Sequence, residues 1–412
     1  MCRRLAVATW LAGLTAALAV VTATGCGGTA EKTPATRGPA IDGGPGGQSA
    51  DAGAGGASGG SSGATGGGGA GVGDAGAVDP DDTGAGATNP ETGGQTPGRP
   101  CPLPVIPACD AAPPDPGSKQ AWRHGGPSAL AGAAQHRGRD LLVAPSGPQW
   151  LIARFAYGLL DTPITDEDVD VYLLRGCGAT WEKLGTARTS DGKHAAVEGV
   201  DDNSGRVFFE IPADKKLGLG RHRARFVVMG DLTVTEAFVE VAAPGTPLFV
   251  ADVDGTLTTD EGAELNALLT GTLPNANPDS ADALKALVAK GYRPLYLTAR
   301  AEGLTERTRR FLSERGFPAG IVNTTTAGAV TGAAAGTYKT AALAALAGKG
   351  IEPSFSFGNT DTDAQAYNSA GVAPLDHRVF FRFTDAMFKG RRIEAYSELL
   401  PEFSKLPPVC PN

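Results

Sequence analysis

A long glycine-rich segment without aromatic residues limits how much of this 412-residue chain can fold. Positions 27–100 contain no Phe, Trp or Tyr and hold 25 of the 59 glycines. Because such a composition cannot bury enough apolar surface to offset the loss of chain entropy, we expect residues 27–117 to form a disordered tether. The remaining residues still suffice for two ordinary domains.

The first 26 residues have the features of a secretory signal. Arg3 and Arg4 precede an apolar run from Leu5 to Val21, which is too short for a stable membrane span. Cys26 follows a small residue directly after this run, as in bacterial lipoprotein signals, in which the cysteine is lipidated. We therefore expect an exported protein, lipid-anchored through Cys26 to the periplasmic or cell-surface side of a bacterial membrane. Ordinary signal cleavage beside an incidental cysteine is the alternative.

Four further cysteines come after the glycine-rich segment 27–100: Cys101, Cys109, Cys177 and Cys410. An even number in an exported chain fits two disulfides, with three possible pairings. We expect the first two, in a proline-rich stretch, to pair with the later two, and the sequence does not rank the pairings.

The charge pattern excludes one large class of partner. The formal net charge is −8 and the pI is about 5.3, without a basic stripe, so no nucleic-acid binding is expected. The histidines are scattered and lack zinc-site spacing. A monomer is expected.

Residues 118–243 show short alternating strands with turn residues between them. Val207, Phe209 and Ile211, for example, share one face of a predicted strand. The predicted strands are Asp140–Ala144, Trp150–Tyr157, Val169–Leu174, Trp181–Ala187, Arg206–Ile211, His222–Met229 and Leu232–Val241. About seven strands at this spacing predict a β-sandwich of immunoglobulin-like type.

In residues 244–405 strands alternate with helices. The predicted strands are Leu248–Ala251, Arg293–Leu297, Ile321–Val322, Ser354–Phe357 and Val379–Phe383. The predicted helices are Asp282–Lys290, Leu304–Glu314, Thr340–Ala347 and Ala364–Ala370. This alternation predicts a parallel sheet in a three-layer α/β domain.

Two carboxylates directly follow the first of these strands. Because residues i and i+2 of a strand point to the same side, Asp252 and Asp254 should project into one crevice at the carboxyl end of the sheet, where α/β folds bind ligands. There they could attack phosphorus, move a proton and hold a divalent cation. A calcium-binding loop is the rival interpretation. An EF-hand loop needs glycine at its sixth position and an acid at its twelfth. Counted from Asp252, this segment has Gly255 at its fourth position and Ala263 at its twelfth.

Later strand ends offer the other groups that such chemistry needs. Thr298 can hold phosphoryl oxygens, and Arg300 can reach a phosphate. Lys339, at the start of a predicted alanine-rich helix, can offset anionic charge, with Lys349 as its competitor.

A magnesium site is predicted beside these groups. Asn359 and Asp363 lie four apart at a strand-to-helix junction and can face one side of a first helical turn. Magnesium prefers oxygen ligands, so either could complete a site with Asp252 and the backbone carbonyl of Asp254. Asp361 could also serve as a ligand, directly or through water. Helix capping by Asn359 and Asp361 is the alternative.

The amino-acid sequences of the motifs resemble those of a known family. The run 252–256, Asp-Val-Asp-Gly-Thr, resembles the first motif of haloacid dehalogenase-type phosphatases. Together with segments 296–303 and 357–367, it looks like the LNS2 domain. That domain occurs in lipin phosphatidate phosphatases and in membrane-associated phosphatidylinositol transfer proteins. The resemblance covers roughly residues 245–400.

The resemblance implies a Rossmann-like fold and assigns roles. Asp252 would be the nucleophile that forms an aspartyl-phosphate, and Asp254 the general acid and base, with Thr298 and Lys339 completing the catalytic set. The implied phosphate-binding residues are Gly255, Thr256, Thr298, Ala299, Arg300 and Lys339. The implied Mg²⁺ ligands are Asp252, Asp254, Asn359 and Asp363.

We therefore expect a magnesium-dependent phosphomonoester hydrolase. About 40 residues separate each motif from the next, and predicted core elements fill these intervals. No large lid over the site is therefore expected. An open site suits a bulky substrate such as phosphatidate or another lipid phosphate at a membrane surface. Two alternatives stay open: a phosphatidate- or phosphoinositide-binding module without turnover, because Thr360 replaces the arginine usual in lipins, and a small-molecule phosphatase.

Overall fold

The computed structural model describes residues 105–128 and 132–410. The predicted signal region with Cys26, and most of the predicted tether, lie outside these residues. Within the described ranges, no helix is both long and apolar enough to cross a membrane. Residues 105–128 form no helix or strand, but they lie along the first domain. The Gln120 amide, for example, donates to the Met229 carbonyl at 2.8 Å.

The first domain is built from ten strands. They are β1 (Arg137–Arg139), β2 (Leu141–Val143), β3 (Trp150–Arg154), β4 (Ala156–Tyr157), β5 (Thr162–Pro163), β6 (Asp168–Leu174), β7 (Trp181–Arg188), β8 (Arg206–Glu210), β9 (Gly220–Val228) and β10 (Val234–Val241). One sheet has the order β1-β3-β8, a second has the order β2-β10-β9-β6-β7, and β4 pairs with β5. Val171, Val207 and Phe226 are fully buried in the core that these strands enclose. The predicted β-sandwich is confirmed.

The predicted strand Trp150–Tyr157 is interrupted in the structure. Phe155 leaves the β3 ladder: its amide donates to the Gly205 carbonyl at 2.7 Å, and its carbonyl accepts from Ile164 at 3.2 Å. The chain therefore turns into the short β4–β5 pair, which an alternation pattern alone does not reveal.

A disulfide joins Cys109 to Cys177, so one of the predicted types of pairing is confirmed. Cys410 is also disulfide-bonded, and Cys101 lies outside the described residues. The first disulfide ties the segment before the sandwich to the turn after β6.

The second domain alternates strands and helices. Its elements are β11 (Leu248–Ala251), α1 (Ala263–Thr270), α2 (Ser280–Val288), β12 (Arg293–Ala301), α3 (Thr305–Glu314), β13 (Ile321–Thr325), α4 (Gly332–Ala347), β14 (Pro353–Gly358), α5 (Asp361–Ser369), β15 (Arg378–Phe381), β16 (Arg391–Ile393) and α6 (Leu400–Phe403). The sheet is entirely parallel, in the order β13-β12-β11-β14-β15-β16.

Helices cover both faces of this sheet. Phe249 of β11 lies in one buried cluster with Leu284 of α2, whereas Val250 lies in another with Leu343 of α4. The three-layer α/β prediction is confirmed. The chain runs from β11 outward through β12 to β13, then returns to the other side of β11 with β14. The carboxyl ends of β11 and β14 therefore border a topological switch point, the usual ligand site of such sheets.

The start of α4 was predicted wrongly. It begins at Gly332, not Thr340, because Ala333–Ala335 favour helix and the chain continues through Gly336. A Cβ at Gly336 would stand 3.3 Å from Thr362 Cβ on α5, so this glycine permits close helix packing. Lys339 consequently lies inside the helix. Helices α1 and α6 and strand β16 were not predicted.

Buried polar contacts join the two domains. Arg309 of α3 binds Asp140 of the sandwich (Nη2–Oδ1, 2.6 Å), and the other oxygen of Asp140 accepts from the Val322 amide at 3.1 Å. Lys349, after α4, donates to the Leu142 carbonyl at 3.2 Å. The competitor lysine of the sequence analysis therefore serves the domain interface.

Candidate active site

Asp252 begins the loop after β11 and is 3% exposed. Its amide donates to the Phe357 carbonyl of β14 at 2.9 Å, which fixes it at the switch point. Its side chain accepts from Lys339 Nζ (Oδ1, 2.6 Å) and from Thr256 Oγ1 (Oδ2, 3.2 Å). A buried carboxylate thus faces a buried ammonium group.

Lys339 joins two aspartates. Its Nζ lies 2.6 Å from both Asp252 Oδ1 and Asp363 Oδ1, and its side chain is 5% exposed. Although burial alone lowers the pKa of Lys339, Asp252 and Asp363 raise it above its usual range. Lys339 therefore stays cationic and offsets the negative charge of the two aspartates, although it lies inside α4 and not at its end.

Burial raises the pKa of the Asp252 carboxyl to about 8, Lys339 opposes this rise, and the carboxylates of Asp363 and Asp254 add to it. Burial of the carboxyl is thus the main cause of its raised pKa, and the single ammonium group of Lys339 does not offset it. An additional cation would favour the ionised, nucleophilic form of Asp252.

Asp254 is held by Thr298 and Arg300. Thr298 Oγ1 donates to Asp254 Oδ2 at 3.2 Å, and the Arg300 guanidinium binds the same carboxylate through Nε (3.0 Å to Oδ2) and Nη2 (2.7 Å to Oδ1). About a fifth of the Asp254 side chain (20%) is exposed, against 4% for Arg300. Glu264 of α1 forms a second ion pair with Arg300 at 3.1 Å.

Strand β12 is longer than predicted, and this extension positions the two residues. Thr298 and Arg300 lie within β12, and the pairing with β13 shifts between Leu297 and Ala301. Such an irregularity redirects side chains at the edge of a site. The carbonyl of Ala299 accepts from the Val330 amide at 3.1 Å, so this predicted phosphate-binding residue serves to hold a neighbouring loop.

Asn359 contacts the first motif. Its Oδ1 accepts from Thr256 Oγ1 at 2.7 Å, and its Nδ2 donates to Glu261 Oε1 at 2.5 Å. Gly255 has a φ of +71°, and a Cβ there would collide with Asn359 and Glu261. The Gly255 amide donates to Thr258 Oγ1 at 2.9 Å. Gly255 is therefore needed for turn conformation and close approach.

Asn359 and Asp363 were expected to face one side of a first helical turn, but Asn359 lies before the helix. Helix α5 begins at Asp361, and Thr360 is its N-cap in a capping box with Asp363. Asp363 Oδ2 accepts from the amides of Asn359 and Thr360, each at 3.1 Å. With Oδ1 bound to Lys339, both Asp363 oxygens are engaged, and Thr360 has a local structural role.

The donor set was compared with the needs of Mg²⁺. Among the described residues, no three His, Cys, Asp or Glu side chains form a metal-type group. Two carboxylates (Asp252, Asp254) and the Asn359 amide oxygen do border one loop, and hard oxygen donors suit Mg²⁺. The surplus of carboxylates there, which includes Glu261, fits a divalent cation. Asp363 fits less well, because its carboxylate is fully buried (0% exposed), caps α5 through Oδ2 and binds Lys339 through Oδ1.

Two groups of contacts thus hold most of the proposed site residues. One joins Asp252, Thr256, Lys339, Asn359 and Asp363, and the other joins Asp254, Thr298 and Arg300. Gly255 lies between Asp254 and Thr256 in the chain, and its amide bonds to Thr258. The sequence analysis missed Glu261 and Glu264. Both lie close after the acidic motif, but nothing in their spacing marks them, because α1 was not predicted.

The geometry defines a β-sandwich joined to a three-layer α/β domain with paired aspartates at the switch point of its parallel sheet. Residues 134–241 match the family model of the PITM 1–3 β-sandwich domain, and residues 249–381 match that of the PITM 1–3 LNS2 domain. The chain therefore carries both domains in succession, as the motif resemblance implied for the second.

Curated relatives include membrane-associated phosphatidylinositol transfer proteins. The mouse protein 3 is 30% identical over 191 residues, which is 46% of this chain and 18% of the relative. The human protein 1 is 32% identical over 192 residues (46% and 14%), and Drosophila retinal degeneration B is 31% identical over 193 residues (46% and 14%). The chain thus matches less than a fifth of the length of these relatives.

Proposed function

We propose that the chain is a magnesium-dependent phosphomonoester hydrolase that acts through an aspartyl-phosphate, with phosphatidate or another bulky lipid phosphate as substrate. The observation that carries this proposal is the Asp252–Lys339 contact of 2.6 Å at the switch point, beside an Asp254 held by Thr298 and Arg300. This contact supports the proposal, because Asp252 would be the nucleophile, Lys339 would neutralise its charge and Asp254 would be the acid–base group, all at one edge of the sheet.

In the first step an Asp252 oxygen attacks phosphorus, the bond to the substrate alkoxide breaks, and Asp254 gives the alkoxide a proton. In the second step Asp254 takes a proton from water, the water oxygen attacks phosphorus, and the aspartyl ester bond breaks to release phosphate. Thr298 and Arg300, which contact Asp254 in the structure, would turn to the phosphoryl oxygens.

Mg²⁺ held by Asp252, the Asp254 carbonyl and Asn359 would neutralise charge between nucleophile and phosphate. Lys339 would offset the remaining charge on Asp252 throughout, because its pKa is raised.

The lipid preference rests on two supports. No separate domain is inserted between Leu257 and Thr298 or between Thr298 and Lys339, where α1, α2, α3 and β13 belong to the α/β domain. The relatives are named membrane-associated phosphatidylinositol transfer proteins, which favours a lipid ligand.

The test is hydrolysis of an aryl phosphate and of phosphatidate by the purified chain, with and without Mg²⁺. Asp252→Asn should abolish turnover of both. Asp282→Asn, an exposed carboxylate on α2 (65% exposed), should not change it. Turnover that survives Asp252→Asn unchanged would refute the mechanism.

A lipid-phosphate-binding module without turnover is the second candidate. It is favoured by the burial of Asp252 (3% exposed) and the clamping of Asp254 by Arg300. Retention of intact phosphatidate on vesicles after long incubation with the protein would support it.

We further propose that the chain is exported and anchored through Cys26. The Cys109–Cys177 disulfide supports an oxidising compartment. Labelling with radioactive palmitate, lost on Cys26→Ser, would test the anchor.

A further inference from the structure

Two adjacent leucines stand almost fully exposed on the sandwich domain. Leu159 is 87% and Leu160 is 91% exposed, in the turn between β4 and β5 that we call the leucine turn (residues 158–161). Single exposed leucines are common, but two neighbours at a projecting turn form an apolar tip that water does not favour.

The leucine turn is firmly braced. Arg137 binds both oxygens of Asp161 (Nη1–Oδ1 2.5 Å, Nη2–Oδ2 2.6 Å), and Arg154 binds the same carboxylate. Tyr157, just before the turn, donates to Asp231 at 2.6 Å. The leucines are therefore held outward by a rigid base.

The leucine turn also stands beside the candidate active site. A cavity of about 450 Å³ is lined by Leu159 and Asp161 on one side and by Ala301 and Glu302 on the other. Ala301 immediately follows Arg300, which binds Asp254. The tip thus borders the same carboxyl edge of the sheet that would receive a phosphate.

We propose that Leu159 and Leu160 insert into the phospholipid surface that presents the substrate, so that the sandwich docks the catalytic edge on a bilayer. This rests on the proposed lipid-phosphate substrate. Because Arg137 and Arg154 neutralise Asp161, insertion is mainly apolar and depends little on salt. A second copy of this chain is the competing occupant.

The test is flotation of the full chain carrying Cys26→Ser, which removes the predicted lipidation site, with phosphatidylcholine vesicles that contain or lack phosphatidate. The double variant Leu159→Ser/Leu160→Ser should lower the partition coefficient at least about 100-fold, since burying each of the two leucines contributes about tenfold or more. Leu219→Ser is the matched control. Leu219 is also exposed (58%), but it directly precedes the first residue of β9. The leucine turn lies near the opposite end of β9, where Tyr157 contacts Asp231.

Insertion has its own readout, independent of catalysis. The tryptophan fluorescence added by Leu160→Trp should be quenched by brominated lipids, and that added by Leu219→Trp should not. The leucine double variant should raise KM for vesicular phosphatidate and leave kcat for a soluble aryl phosphate unchanged.

The outcomes separate this inference from the proposed function. Leucine-dependent flotation without any phosphatase activity would support docking and refute the hydrolase. Equal flotation of wild type and double variant, or absence of flotation with a dimer that the double variant dissociates in sedimentation, would overturn the docking proposal.

Discussion

Arg206 of the sandwich and Glu302 of the α/β domain form a buried ion pair, with Nη2 2.9 Å from Oε1 and 3.0 Å from Oε2. The side chain of Arg206 is 1% exposed and that of Glu302 is 9% exposed. Glu302 lies two residues after Arg300, and Arg137 binds it as well (3.1 Å). The sandwich therefore helps to fix the strand end that carries Thr298 and Arg300.

Removing one partner of this pair should be costly. Arg206→Met is expected to lower the free energy of unfolding by about 3–5 kcal/mol, because it leaves a buried carboxylate less well compensated. The exposed pair Arg310–Glu314 (65% and 49% exposed) provides a control, and Arg310→Met should cost at most about 0.5 kcal/mol. Urea unfolding measures both.

A double-mutant cycle makes the coupling explicit. The double variant Arg206→Met/Glu302→Gln should lose less free energy of unfolding than the sum of the losses of the two single variants. Strict additivity would contradict a direct interaction between the two side chains.

Lys339 and Lys349 should differ sharply in their effect on turnover. Lys339→Met removes the cation shared by Asp252 and Asp363, so kcat should fall about 100-fold or more. Lys349→Met alters only the contact with the sandwich and should keep kcat. Lys339→Arg should restore part of the activity if the variant is folded by thermal melting. Equal kcat values for the two methionine variants would contradict the assigned role of Lys339.

The sequence revealed the candidate site better than its surroundings. The strands, and the acidic, hydroxyl and amide side chains at their ends, could be predicted because each motif follows a short apolar run, as Asp252 follows Leu248–Ala251. The early start of α4 was hidden because Gly332 and Gly336 suggest a loop, and only packing against α5 makes Gly336 suitable for a helix. The partners of Arg300 were also hidden, since Glu264 is brought there by tertiary packing.

The contribution of His136 to the stability of the protein should be lost as the pH drops from about 6.5 towards 4. Burial lowers the pKa of His136 to about 4 from an ordinary value of 6.5, while Asp231 partly opposes this. A lowered pKa means that the unfolded chain binds the proton first, so the His136 contribution is fully present above 6.5 and is lost as the pH falls through this window. The loss is on the order of 2 kcal/mol.

His136→Phe should flatten this part of the pH profile. The ring would keep the contacts with Phe155 and Tyr157 (centroids 5.1 and 5.0 Å) and lose the titratable nitrogen. Urea unfolding at pH 7 and at pH 4.5 measures the difference. A slope as steep as in the wild type would show that other groups cause the acid sensitivity.

Mg²⁺ should stabilise the folded protein even without substrate. Burial and, to a smaller extent, the carboxylates of Asp363 and Asp254 raise the pKa of Asp252, so a cation bound beside it would favour its ionised form. A cation that binds only the folded state adds about 2.7 kcal/mol at 100 times its dissociation constant. The melting temperature should therefore rise with Mg²⁺, and Asp252→Asn or Asn359→Ala should weaken the response. Asp282→Asn should respond like the wild type. A Mg²⁺ response that all variants share equally would place the bound ion elsewhere on the protein.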